Sequence, residues 1–252
     1  MVEDPRPRSL NAVRFRWQGR FGFFLRAEAP VVGIGYPLPP RTAVLGLIAN
    51  ILGFEKDALA HELADAQVAL SGSLPRTHWH ACNLRKIKSA RFLPATVSLS
   101  KCSAFLASEE SNTQSRQEWL LDPSFEVLAV LPPRWHDDFS ARVRDGRFHF
   151  TPCLGLSEMI ATVQSLGEET LTPLPEGAHR VVTVARAHDA TRLDTGTVLR
   201  ESLRVLSLTL PRTVTEDREF SHAVYHATPD GSPLPVISRE AWQGAQGPVV
   251  FL

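Results

Sequence analysis

Apolar and polar positions alternate through AVRFRWQ (12–18), with Val13, Phe15 and Trp17 pointing one way and Arg14 and Arg16 the other. A period of two predicts a strand with one buried face and one basic face. GRFGFFLRAEAPVVGIGYP follows, punctuated by glycine, and reads as a loop with one or two short strands. In YPLPPRTAVLGLIANILG (36–53) the period changes. Val44, Leu47, Ile48, Ile51 and Leu52 recur at helical spacing and make one apolar face. Pro39 and Pro40 cannot continue this helix backward, Thr42 is the candidate N-cap, and Gly53 stands where a left-handed C-cap belongs. Gly46 interrupts the helix interior, where glycine normally costs stability.

A second helix is expected over about 55–69, with Leu59, Leu63 and Ala66 on one face. Residues 74–105 read as strands, and SEESNTQSRQE (108–118), nearly devoid of apolar side chains, as a loop. FEVLAVLPP predicts a strand, Asp145-Gly146 in ARVRDGRFHF a hairpin turn, and SEMIATVQSL a short helix capped by Ser157. HRVVTVARAH, LRVLSLTL, SHAVYHAT and the final PVVFL read as strands. The succession predicts an α+β chain with antiparallel sheet predominating, compatible with a ferredoxin-like or RNA-recognition-motif core.

Charge sharpens this picture. The 252 residues carry no net charge, yet the six basic residues between Arg76 and Lys101 are joined by no acidic one. That stretch holds Arg76, Arg85, Lys86, Lys88, Arg91 and Lys101. From Asn11 to Arg41, five arginines (14, 16, 20, 26 and 41) face Glu28 alone. The acids gather later, at Asp137, Asp138, Asp145, Glu158, Glu168, Glu169 and Glu176. A basic N-terminal third suits an anionic ligand on one face. The first ten residues are polar and proline-rich, and the longest apolar run, Ala43–Leu52, is too short to span a bilayer. The expectation is a cytoplasmic protein without a membrane partner. Cysteines 82, 102 and 153 are odd in number and lack CxxC spacing, so they read as small buried side chains.

Few motifs carry chemistry. His78, His80 and Cys82 alternate on one strand face but offer only three ligands, so no metal or other cofactor is expected. Trp79, His80 and the neighbouring cations also suit stacking and phosphate contacts with single-stranded nucleic acid. WHDDF (135–139) reads as a solvated acidic turn. P-loop, GxGxxG and GxSxG patterns are absent from the sequence. A ribonuclease needs no metal, and Tyr36 or Tyr225 with a histidine among 78, 80, 222 and 226 could supply acid, base and charge stabilisation.

GYPLPPRTAVLGLIANILG resembles the N-terminal signature of the fifth family of CRISPR-associated proteins, subunits of the RAMP superfamily. Tyr36-Pro37, Pro39-Pro40, Thr42, Gly46 and Gly53 carry the resemblance. Leu154-Gly155 in TPCLGLSEMIATV and the proline-arginine pair of LPRTVTEDREFSHAVYH resemble later segments of that family. The resemblance implies a ferredoxin-like (RNA-recognition-motif-like) domain over 1–125 with a basic β-hairpin thumb within 74–118, and a β-rich portion over 126–252. It implies an antiviral-defence role: capping the 5′ handle of crRNA in a type I Cascade complex, in contact with the large and backbone subunits and, through the complex, with target DNA. Most branches of the family are structural, so no catalytic residue is expected. The alternative is a metal-independent endoribonuclease processing pre-crRNA repeats. The processing branch uses an adjacent lysine-histidine pair, and no lysine adjoins a histidine in this chain. The expected RNA-binding residues are Arg14, Arg16, Arg20, Arg26, Arg41, Thr42, Trp79, His80, Arg85, Lys86, Lys88 and Arg91. Arg41 and Thr42 are expected at an exposed helix start, whose N–H groups suit an anion. Gly46 is expected to allow close packing of the helix under the sheet, or of RNA or a partner over it.

Overall fold

Strand β1 (Leu10–Gln18) shows the alternation directly, with Val13, Phe15 and Trp17 buried and Arg14 and Arg16 half-buried on the other side. The computed structural model describes residues 6–26, 33–55, 58–85 and 112–252, with side chains for all of these except 83–85 and 112–113. After β1 come β2 (Phe21–Gly22), β3 (Phe24–Leu25), β4 (Gly35–Tyr36), α1 (Arg41–Leu52), α2 (Leu59–Glu62) and β5 (Gln67–Ser71). Next are β6 (Arg76–Arg85), β7 (Asn112–Leu121), β8 (Ser124–Val130), α3 (Pro133–Asp145) and β9 (Thr162–Pro173). The remainder holds β10 (Gly177–Val181), β11 (Ala185–Arg186), β12 (Thr191–Leu193), α4 (Thr195–Arg200), β13 (Leu206–Val214) and β14 (Phe220–Ala227). It closes with β15 (Leu234–Ser238), β16 (Trp242–Gly244) and β17 (Gly247–Val249).

The architecture is mixed α/β and rich in strand. A six-stranded sheet runs in the order β17-β16-β9-β1-β8-β5, with β1 antiparallel to both β8 and β9. Helices α1 and α3 cover one face. Ile48 and Ile51 of α1 and Phe139 of α3 are fully buried against Phe15, Phe125 and Val127 of the sheet. Each such side chain contributes about 1.5–3 kcal/mol relative to exposure. Leu128, Leu171 and Trp242 form a second, smaller cluster on the opposite face with Ala12 and Ala69.

The start of α1 differs from expectation. Pro40 takes the N-cap position in extended conformation without a side-chain cap, and its carbonyl accepts from Ala43 and Val44. Proline fixes the entry angle that Thr42 was expected to set. Gly53 ends the helix in the left-handed region as expected, and the 149–150 segment donates to the Ile51 and Asn50 carbonyls. At Gly46 an added Cβ would meet nothing within 4 Å, so close packing of this helix under the sheet is not its reason.

Other elements correct the sequence reading. The second helix shrinks to the four residues of α2, because buried Val68, Ala69 and Leu70 belong to β5. The loop expected over 108–118 is largely β7, which pairs in full with β6 from Arg76↔Leu121 to Arg85↔Asn112. It carries few apolar side chains because the β6–β7 pair lies outside the main sheet, and a strand there needs no buried face. Asp145-Gly146 is not a hairpin turn. It ends α3, with Gly146 as a left-handed C-cap donating to the Arg142 carbonyl. The WHDDF residues therefore lie on a helix whose buried stripe is Phe139 and Val143. SEMIATVQSL forms no helix, because Ala161 and Val163 alternate with exposed neighbours and lead into β9. Helix α4, capped by the Asp194 carboxylate accepting from the Thr197 N–H, has no counterpart in the expected all-strand C-terminal portion.

Candidate nucleic-acid interface

The β6–β7 hairpin presents two unlike faces. Trp79 lies on one and is 50% exposed. His80 lies on the other, stacked on Trp119 of β7 with ring centroids 3.8 Å apart. Trp119 in turn packs on Phe21 of β2 at 5.3 Å, and the Arg20 guanidinium sits 5.3 Å from the Phe21 ring. Pairing of β2 with β7 through Phe21↔Leu121 sets up this row. Two expected site residues far apart in sequence, Arg20 and His80, thus meet on one aromatic row, while Trp79 is left with an open face. Arg85 ends β6 opposite Asn112. Lys86, Lys88 and Arg91 lie outside the described residues.

Cys82 donates to the Gln117 amide oxygen at 3.4 Å, and the same oxygen accepts from the Trp119 indole at 2.9 Å. His80 and Cys82 are thereby committed to packing and hydrogen bonding across the hairpin, while His78 is exposed.

Arg14 and Arg16 share one counter-ion. Their guanidiniums lie 2.6 Å and 2.7 Å from the two carboxylate oxygens of Glu126, on the neighbouring β8. Burial pushes the Glu126 carboxyl up, but the hydrogen bonds from Arg14 and Arg16 outweigh it and hold the group below its ordinary value. Two cations on one anion leave a net positive spot on the sheet face away from the helices. Arg26 lies over Tyr36, its guanidinium 5.0 Å from the ring, and its Nε is buried without a hydrogen-bond partner.

Arg41 and Thr42 part company. Thr42 is half-buried and lines an apolar cleft of about 320 Å³ with Phe24, Tyr36, Leu156 and Phe220. Arg41 does not stand at an exposed helix start. It is buried, donating to the Ala66 carbonyl at 2.7 Å and the Arg212 carbonyl at 3.3 Å. Burial, then the nearby Arg212, holds its pKa below the usual guanidinium range. It lines a different cleft, of about 550 Å³, together with Arg186 and Arg212. Those two arginines were missed by the sequence reading. They lie 145 and 171 residues beyond Arg41 (186 − 41 and 212 − 41), so no local spacing announces them.

Leu154-Gly155, singled out in the sequence, holds the aromatic run in place. The Leu154 carbonyl accepts from the Phe23 N–H at 2.9 Å. Gly155 has φ +98°, and a Cβ there would overlap the Phe23 carbonyl. Only glycine permits both the left-handed backbone and this approach.

Residues 12–227 match the family model described as CRISPR-associated protein (Cas_Cas5). The chain belongs to the CRISPR-associated Cas5 family. Its fold agrees with that of solved relatives. A crystal structure of a CRISPR protein from Archaeoglobus fulgidus superposes with TM-score 0.51 at 14% identity, covering 96% of this chain and 99% of that one. A chain of a CRISPR RNA-guided surveillance complex superposes with TM-score 0.50 at 13% identity, covering 89% and 91%. No curated protein matches the sequence. Among the described residues of this Cas5-family chain, no helix is long and apolar enough to cross a membrane.

Proposed function

We propose that this Cas5-family chain is a non-catalytic RNA-binding subunit of a type I Cascade complex, holding the 5′ handle of crRNA. The observation that carries the reading is the β6–β7 hairpin. It exposes Trp79 on one face, braces His80 on Trp119 on the other, and leads at Arg85 into Lys86, Lys88 and Arg91. An exposed aromatic on a strand whose sequence runs on into a basic stretch suits stacking on an unpaired base and contact with its phosphates. The exposed Arg20 and the Arg14/Arg16 spot are further cations for the phosphates. In this reading the hairpin is the thumb, it reaches a backbone subunit as well as the RNA, and the large subunit docks beside it. The RNA-guided character of the complex whose chain shares the fold supports it. The succession β1-α1-β5-β8-α3-β9, with β9-β1-β8-β5 as spatial order, supports a ferredoxin-like core.

Against cleavage, both tyrosines are buried, Tyr36 at 3% and Tyr225 at 0% exposure. His226 hydrogen-bonds Ser207, and burial pushes its pKa down. Purification of the chain with its complex from cells carrying a CRISPR array, followed by sequencing of the bound RNA 5′ ends, tests the proposal. One uniform repeat-derived 5′ end is expected. Absence of enriched RNA, or discrete repeat cleavage by the isolated chain in EDTA, contradicts it.

A further inference from the structure

Three arginines converge where the two halves of the chain meet. Arg41 opens α1, Arg186 ends β11, and Arg212 sits in β13. The register of β13 with β14 shifts between Pro211↔His222 and Thr213↔Ser221, leaving Arg212 as the extra residue of a bulge. Bulges re-aim side chains, and this one turns Arg212 into the cleft of about 550 Å³ that Arg41 and Arg186 also line. Across the sheet, Arg186 is the register partner of Tyr225, which places both side chains on one face. Tyr225 is fully buried, and its hydroxyl has no hydrogen-bond partner. The Nε groups of Arg186 and Arg212 are likewise buried and unpartnered.

The charges are compensated only in part: Arg186 contacts the His188 ring nitrogen at 3.2 Å and feels Glu240 at longer range. Among the described residues, none of the three guanidiniums forms an ion pair. Two carboxylates line the cleft. Glu240 is engaged by His188 and by the Thr191 hydroxyl, and Asp65 is exposed. Burial first, then the nearby Arg212, hold Arg41 and Arg186 below the usual guanidinium range. Unpaired buried donors and clustered cations cost stability unless something accepts from them.

We propose that the cleft lined by Arg41, Arg186 and Arg212 is a phosphate-binding site, with Arg186 and Arg212 donating to the phosphate oxygens and Arg41 supplying charge. A phosphate offers several acceptor oxygens and up to two negative charges, matching planar guanidiniums better than a carboxylate with two oxygens. Arg41 is already held by the carbonyls of Ala64, Ala66 and Arg212, so it acts as a fixed cation. The site is separate from the hairpin surface and does not rest on the handle-binding reading.

The test is thermal unfolding of the full chain in sodium phosphate against sodium chloride at matched pH and ionic strength. A saturable rise of the midpoint with phosphate is expected. Arg212→Gln and Arg186→Gln should each weaken that phosphate response by about tenfold or more. In chloride they should be no less stable than the parent, because a like charge is removed. Repeating the titration with 5′-phosphorylated and 5′-hydroxyl handle RNA separates the sources. RNA that displaces phosphate assigns the site to the nucleic acid, and RNA that binds beside it assigns the site to free phosphate; either result upholds the pocket. A parent chain that phosphate stabilises no more than chloride, or a response that survives the Arg186→Gln/Arg212→Gln double substitution, overturns it.

Discussion

Gly46 and Gly155 occupy opposite situations, and single substitutions separate them. A Cβ at Gly155 overlaps the Phe23 carbonyl on a left-handed backbone. Gly155→Ala should therefore cost about 2–4 kcal/mol, from backbone strain and overpacking together. Gly46 faces open space inside a helix, so Gly46→Ala should stabilise by about 0.5–1 kcal/mol. Urea unfolding of both variants checks the contrast, and a destabilised Gly46→Ala contradicts it. Glu126 makes a pH prediction. A carboxyl whose folded value lies below its unfolded value contributes stability that is complete above the unfolded value and is lost as pH falls through the folded one. Arg14 and Arg16 place Glu126 in that class, burial notwithstanding. Stability should decline as pH falls from the ordinary glutamate range, and Glu126→Gln should flatten that part of the profile. An acid limb identical in parent and variant contradicts the assignment.

Among elements, the β6–β7 hairpin separates binding from folding. Trp79 is half exposed and faces away from the aromatic row, so Trp79→Ala should change stability by no more than about 0.5 kcal/mol. It should weaken handle RNA by about 1–3 kcal/mol, the worth of one stacked base. His80→Ala removes the contact with Trp119 and should instead lower stability by about 0.5–1.5 kcal/mol. Equal loss of binding and stability in both variants contradicts this division. The elements also show what a linear sequence can carry. β1 and α1 were legible because each buries one face, and burial imposes a period on the residues. β7 was not, because a strand outside the main sheet has no such face, and its pairing with β6 leaves no local trace. Asp145-Gly146 misled because a positive-φ glycine serves a hairpin turn and a helix C-cap equally, and the buried apolar stripe of α3 is only Phe139 and Val143, beside buried Ser140. The hairpin half of the candidate site was visible as a charge run. The cleft was not, because a β-bulge and a cross-strand register bring Arg212 and Arg186 beside Arg41 from distant segments.

At the scale of the whole molecule, a neutral chain carries its basic residues in a basic N-terminal third of the sequence and gathers its acids later. The central claim is that the hairpin side grips a single-stranded RNA handle. Its most direct test is the affinity of the chain for 5′-handle RNA across a salt series, for the parent and for the Trp79→Ala/Lys86→Ala/Lys88→Ala variant. Each phosphate contact on a single strand contributes about 0.7 to the slope of log K against log salt. The account predicts that the variant binds at least about tenfold more weakly, with a slope shallower by about 1.4 for the two lysines removed. Unchanged affinity and slope in the variant would contradict it.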